Sequence, residues 1–434
     1  MSSEEAQEQI REKEMVSIIE KLSEFGIKVE ESPEKGRYCV AAKKFNKGDL
    51  ILIAEPDAES PFLNALSTHC CNCYKVLPPD YEGNAPTDPE TPPEHKVYCP
   101  GCRYFNYCSE ECRIAHWKKE HCKECKYITS IPEMSILLER ILTNGCNWRF
   151  LRTSSNYNPD KISDDYIELF NDFRKNVTNI TNIPDNSTLY LIAETINNNA
   201  FAIEDVETGT AGTGVYILAS LFSHSCITNT SRTFRDKKLY IIAAADIEPG
   251  EEITVTYSSC FIEDAETRRE ELRKSYGFTC MCPRCVGEDD KSSDYFKKVS
   301  GEYIPKDAEI SLERLKAARP IITEKETAED YAGALEVIED LIPVGTDVPE
   351  VYIPSLAFGF VVERACVVSN RLADYESELY YTKLYIKCST CKYIKLFLFF
   401  CLNKINFYTH IKSFMNVLKT SYKRYFTFLF YLFL

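Results

Sequence analysis

The chain reads as an α+β protein stapled by metal, and three observations carry that reading. Short β-branched segments bounded by turns alternate with longer helix-patterned stretches, so neither class dominates. Soft ligands fall in close pairs between Cys70 and Cys125, and a thiol triplet follows at Cys280, Cys282 and Cys285. Composition supplies the third: 44% hydrophobic and 27% charged residues are ordinary for a globular chain of 434, but 20 cysteines are not. That length holds two or three domains and buries a sizeable core.

Charge and cysteine usage narrow the function classes. A formal net charge of −15 disfavours a broad basic surface for nucleic acid, so a DNA-binding role is not expected. The acidic, polar start carries no expected secretory signal, and clustered Cys-x-x-Cys pairs in an unsecreted chain favour metal over disulfides. A reduced compartment, nucleus or cytoplasm, is the expectation.

In chain order, residues 8–25 predict a helix with Val16, Ile18, Ile19, Leu22 and Phe25 partly on one face and Gly26 as its stop. Residues 34–56 predict two short strands about the turn at Asn46, Lys47, Gly48 and Asp49. Next come Cys70 and Cys73, Cys99 and Cys102, Cys108 and Cys112, then His121 and Cys125. Eight such ligands suit two tetrahedral zinc sites, because Cys-x2-Cys lets two thiolates reach one ion from a tight turn. Ser109 to Lys126 predicts a short helix, with Ser109 as N-cap, Glu110 and Glu111 in its first turn, and Trp117 packed on the finger. The Pro-, Asp- and Glu-rich linker from Cys73 to Cys99 is expected to be mobile.

Residues 131–198 alternate helical patterns (134–142, 162–174, 189–196) with polar loops. A strand-like run over 215–219 leads into Leu221-Phe222-Ser223-His224-Ser225-Cys226. Residues 239–245 and 253–257 predict strands joined by the Pro249-Gly250 turn, and 264–275 predict a charged helix. Further helices are expected over 306–318, 327–342 and 351–374. From Cys388 the pattern gives way to Phe, Tyr, Leu, Lys, Ile and Asn; we expect this tail not to be a native domain end, and its apolar runs are too short to span a bilayer.

The centre of the chain is Leu221–Cys226 read with Gly250-Glu251-Glu252-Ile253-Thr254-Val255-Thr256-Tyr257. Cys226 with Cys280, Cys282 and Cys285 supplies the four ligands of a structural zinc site. Such a site would tie segments about 50 residues apart into one knot.

Ser-His-Ser-Cys followed by Asn229, then Gly250–Tyr257, then Tyr276-Gly277-Phe278-Thr279-Cys280-Met281-Cys282-Pro283-Arg284-Cys285, resembles the SET methyltransferase core with its post-SET zinc cluster. With the cysteine block at 70–125 the chain is similar to the SMYD family, in which a MYND zinc finger interrupts the SET domain. The resemblance covers roughly residues 30–290. It implies a SET-type β fold interrupted by the finger, a helical insert and a C-terminal helical lobe. The implied divisions are an N-terminal extension (1–29), SET N-terminal part (30–66), MYND finger (67–126), insert (127–198), SET core (199–262), post-SET (263–287), helical lobe (288–387) and unassigned tail (388–434).

The resemblance also implies the activity: transfer of a methyl group from S-adenosylmethionine to a lysine of a histone or another protein. It pairs Cys70, Cys73, Cys108 and Cys112 on one zinc and Cys99, Cys102, His121 and Cys125 on a second, three ions in all with the Cys226 site. Three residues separate Trp117 from His121 where many relatives have two, so His116 or Cys122 stays open as a ligand. Tyr257 would orient the target amine; Lys35, Arg37, Asn199, Ser220, Phe222, Ser223, His224, Tyr276 and Phe278 fall on cofactor-side positions. Tyr38 stands where the family's second glycine is expected and Ser223 where asparagine is usual. Bland readings stay beside these: Asn199 as a helix cap, His224 as a structural histidine, Tyr276 and Phe278 as core rings. The alternative function is a weakly active or inactive adaptor that binds peptides through its finger and helical lobe. A monomer without a membrane segment is expected.

Overall fold

The computed structural model describes residues 15–33, 35–77, 97–205, 209–258, 263–289, 312–342, 356–372, 374, 376–378, 380 and 381. The chain divides into two compact units, Met1–Glu302 and Tyr303–Leu434.

In the first unit, helix α1 covers residues 15–24 and ends where Gly26 takes a left-handed φ of 80°, as its sequence predicts. Strands β1 (Ile27–Ser32), β2 (Gly36–Ala41), β3 (Leu50–Ala54), β4 (Ala58–Pro61), β5 (Val97–Tyr98) and β6 (Asn106–Tyr107) follow. Helices α2 (Glu110–His116) and α3 (Cys122–Glu124) are joined by a π-helical turn at Trp117–His121. Then come α4 (Glu133–Thr143), α5 (Asp164–Asn176), α6 (Asn186–Asn199), β7 (Ala200–Asp205), β8 (Gly209–Val215), β9 (Ser223–His224), β10 (Thr230–Arg235), β11 (Lys238–Ala243), β12 (Thr254–Val255), α7 (Ala265–Tyr276) and α8 (Pro283–Asp289). Side-chain caps start the helices where Ser, Asp or their like precede an apolar pattern: Ser109, Ser163, Asp185 and Asp264 each accept a backbone N–H from the first turn.

The strands form small sheets, β1-β2, β10-β11-β3, β12-β9, β4-β8-β7 and β5-β6. Two expected hairpins are therefore corrected. The strands flanking Asn46–Asp49 do not pair with each other; β2 pairs with β1 and β3 with β11. Likewise β11 and β12 part company at Pro249-Gly250, because that turn docks on β2 through Gly250 N–H to Ala41 O and Ala41 N–H to Glu251 O. The run over 215–219 is not a strand either. After Val215 the chain turns, Ile217 N–H donates to Asp57 Oδ2, and Ala219–Leu221 forms a 3-10 turn. Along this turning segment Tyr216, Ile217, Ala219 and Phe222 are all buried.

The main core runs through these layers, with Ile51, Leu52, Leu239 and Ile241 from the β3–β11 pair and Ile136, Leu138, Leu189 and Ile192 from α4 and α6, and a smaller one gathers Cys226, Ala265, Leu272, Cys280 and Cys285. Among the described residues of the second unit are the helices Leu312–Thr327, Tyr331–Leu341 and Leu356–Arg371. The first runs further than the expected end at 318, since Arg319 and Pro320 continue an already formed helix whose next turn buries Ile322. The linker at 78–96, the start of the first helix, the stretch around 290–311 and the tail from 388 lie outside the described residues.

Candidate functional site

Twelve predicted metal ligands gather into three groups of four, and within each group the ligand atoms all lie within 4.8 Å of one another. The first is Cys70, Cys73, Cys108 and Cys112; the second Cys99, Cys102, His121 and Cys125; the third Cys226, Cys280, Cys282 and Cys285. Sulfurs sit 3.6 Å apart at Cys73–Cys108, Cys99–Cys125 and Cys226–Cys285. A ZnS4 tetrahedron with Zn–S near 2.3 Å has an edge of about 3.8 Å, so the spacing fits zinc.

The π-helical turn settles which residue of the finger helix reaches the second group. An extra residue in that turn swings His121 inward, where Nε2 lies 3.2 Å from Cys99 Sγ and 3.4 Å from Cys102 Sγ. Its Nδ1 faces Glu124 Oε1 at 3.3 Å, the carboxylate–imidazole arrangement that orients a metal-bound histidine. His116 instead lies between Tyr107 Oη at 3.1 Å and Arg140 Nη2 at 3.2 Å, and Cys122 is exposed, so neither joins the group. Trp117 packs edge-on to the His121 ring with centroids 5.8 Å apart. Arg140, on α4, is fully buried and gathers the cysteine-rich segment onto β4: it donates to both Glu124 oxygens at 3.1 and 2.7 Å and to Glu59 O on β4 at 2.7 Å, and pairs with Glu120 at 3.2 Å. Sequence alone did not single out Arg140 or Glu124, because a charged residue in an amphipathic pattern reads as solvent-facing.

The third group sits under the strand pair that forms the second focus. β9 and β12 run parallel, Ser223 beside Thr254 and His224 beside Val255. Asn229 stitches them: its amide donates to Glu252 O at 2.8 Å and accepts Thr254 N–H at 2.9 Å. Tyr257 N–H donates to His224 Nδ1 at 2.9 Å, which leaves the ring proton on Nε2, 3.2 Å from Cys226 Sγ. Burial lowers the His224 pKa to about 4, so the imidazole is neutral and its two nitrogens hold the crossing segments together.

Tyr257 lies two residues beyond β12, with its hydroxyl donating to Phe222 O at 2.6 Å. Burial raises its pKa, so the phenol keeps its proton. Around it stand His224, Tyr276 and Phe278, with ring centroids at 5.3, 5.0 and 6.5 Å. An aromatic cage about a hydroxyl suits a cationic methyl group and a lysine stem. Tyr276 arrives on the last turn of α7, which Gly277 closes at φ 77°.

The remaining residues expected on the cofactor side come from several segments of the chain. Gly36 starts β2 at φ 62° and has no Cβ; one placed there would collide with the Arg152 guanidinium. Lys35 Nζ pairs with Glu252 at 2.5 Å, and Arg37 donates to Phe150 O. Asn199, the last residue of α6, spends its amide N–H groups on Arg152 O at 2.6 Å and Thr195 O at 2.7 Å, so it pins a neighbouring backbone as well as ending the helix. Ser220 Oγ donates to Tyr216 O at 2.9 Å and approaches Asn199 O at 3.3 Å. Tyr38 occupies ordinary strand backbone opposite Glu30, with its hydroxyl 3.2 Å from Glu30 Oε2 and Lys35 Nζ 5.4 Å from its ring centre. No positive φ calls for a glycine at that position.

A family model described as SET domain matches residues 36–258. N-lysine methyltransferase SMYD2 of Homo sapiens is 27% identical over 331 residues, covering 71% of this chain and 71% of that protein. Histone-lysine N-methyltransferase SMYD3 of Homo sapiens is 31% identical over 244 residues, covering 51% of this chain and 55% of that protein. Among solved structures, the SET domain of LSMT bound to lysine and AdoHcy aligns over 87% of this chain and 93% of that one at a TM-score of 0.34 and 10% identity, too distant a likeness to argue from.

Proposed function

The chain belongs to the SET domain family, within its SMYD group, and from that premise we propose how it acts as an S-adenosylmethionine-dependent protein-lysine N-methyltransferase. The observation that carries the mechanism is the protonated Tyr257 hydroxyl on Phe222 O inside the His224, Tyr276 and Phe278 cage.

When bound, S-adenosylmethionine supplies a methyl group activated by its sulfonium. The work of this chain is alignment and exclusion of water, which in a displacement at carbon accounts for much of the rate. Tyr257 would orient the neutral target amine, and the aromatic rings would line its approach. Lys35, Arg37, Asn199, Ser220, Phe222, Ser223 and His224 form the cofactor side in this reading, several of them by holding backbone rather than by contact. The twelve clustered residues would hold three zinc ions, each a closed structural site with no open position for a substrate.

The substrate is a protein, which we take to be a histone or another protein presenting a lysine. We further propose that the finger binds a peptide partner, supported by the exposed Tyr98, Ile114 and Trp117 on its surface. We propose residence in nucleus and cytoplasm, a reading supported by the need to keep eleven clustered thiols reduced. Among the described residues no helix is long and apolar enough to cross a membrane, and a monomer is the simplest assembly.

Calorimetric titration of S-adenosylmethionine into zinc-replete protein, with metal content on the same sample, tests this reading. Three zinc ions and micromolar binding, followed by methyl transfer lost in Tyr257→Phe, are the expected results. Full zinc with no binding would replace the enzyme with the adaptor.

A further inference from the structure

A chain of net charge −15 gathers three cations about one glycine: Lys35, Arg37 and Arg152 surround Gly36. Two of them are committed. Lys35 pairs with Glu252, and Arg37 donates to Phe150 O and faces the Met15 sulfur at 3.5 Å. The Arg152 side chain is exposed and has no hydrogen bond or ion pair among the described residues, so its five N–H donors are open to a ligand.

Its position is built rather than incidental. The carbonyl of Arg152 accepts from both Asn198 and Asn199 at 2.8 and 2.6 Å, which ties it to the end of α6. Three residues on, the Ser155 hydroxyl donates to Gly277 O at 2.6 Å and the Asn156 amide to Arg273 O at 2.7 Å, which ties the same segment to the end of α7 beside Tyr276. Gly36, left-handed and without a Cβ, lets the guanidinium lie against β2. Its charge is felt on both flanks: after burial it is the next cause lowering the Arg37 pKa, and it opposes the burial that raises Tyr257.

We infer that Arg152 is a cofactor-binding residue whose guanidinium receives the carboxylate of the methionine half of S-adenosylmethionine. This rests on the methyltransferase reading above and adds to it a residue outside the sequence motifs. The carboxylate is the one anionic group of that cofactor, and a planar guanidinium matches it with two parallel hydrogen bonds. Placed between β2 and the Tyr257 cage, Arg152 would fix the amino-acid end and so set the direction in which the methyl group points.

The test compares two ligands in calorimetric titrations of the full zinc-loaded chain: S-adenosylhomocysteine, which carries the carboxylate, and 5′-methylthioadenosine, which lacks the whole amino-acid group. Arg152→Gln is expected to weaken S-adenosylhomocysteine by about tenfold to a hundredfold and leave 5′-methylthioadenosine unchanged, with Arg152→Lys in between. Unchanged affinity for S-adenosylhomocysteine, or an equal loss for both ligands, overturns the inference while leaving the enzyme reading intact. A parent chain that binds neither ligand overturns both.

Discussion

Arg268 Nη2 lies 3.3 Å from Cys285 Sγ, and the arginine is fully buried although it belongs to the most charged helix of the chain. Its neighbour Arg269 donates to Cys280 O at 3.0 Å and pairs with Asp289 at 2.6 Å, so α7 grips the third cluster twice. Four thiolates overbalance a divalent ion, and a buried guanidinium answers that excess. Arg268→Met should lower the zinc affinity of the third site by about 10- to 100-fold, read by chelator competition, with the two finger sites unmoved. Equal retention of all three ions would show that Arg268 only fills space.

Arg140 offers a sharper stability test. Removing it in Arg140→Met takes the guanidinium from the buried Glu124 and leaves Glu120 with Lys119 as its cation, which should cost about 3–5 kcal/mol in urea unfolding of the zinc-loaded chain. Adding Glu124→Gln should recover part of that loss, because one uncompensated charge is then gone. A neutral Arg140→Met would sever the finger-to-sheet connection described above.

Tyr257→Phe removes one oxygen and its hydrogen bond to Phe222 O, while the ring stays in the cage. The expected result is a fall in kcat on the order of 10²-fold, as for a misplaced reacting group, at unchanged zinc content. A tyrosine that merely packs would leave kcat where it was.

The two departures from the family pattern separate in space, so they should separate in effect. Tyr38 sits in extended backbone on Glu30, hence Tyr38→Gly should lower stability by about 0.5–1 kcal/mol and bring no gain in cofactor affinity. Ser223 lies in β9, one residue from Phe222, and Ser223→Asn should tighten S-adenosylmethionine by about tenfold through an added amide donor. Titration of both variants decides the matter; a gain from Tyr38→Gly alone would reverse the assignment.

What sequence determined by itself was local chemistry. Cys-x-x-Cys pairs meet one ion because two residues of separation close a turn, and the caps at Ser109 and Asp264 act within a single helical turn. The order of Ser223–Cys226, Gly250–Tyr257 and Cys280–Cys285 likewise carries the family, since each motif is contiguous. Tertiary structure decided what depends on partners far along the chain. The pairing of β2 with β1, of β3 with β11 and of β12 with β9 is set by packing, which no turn signal encodes. A π-helical turn brings His121 rather than His116 to the metal group, and local spacing left that open. Arg140, Arg268 and Arg152 look alike as letters. Two are buried because carboxylates, carbonyls or thiols await them, and the third is held at a glycine with its guanidinium uncommitted.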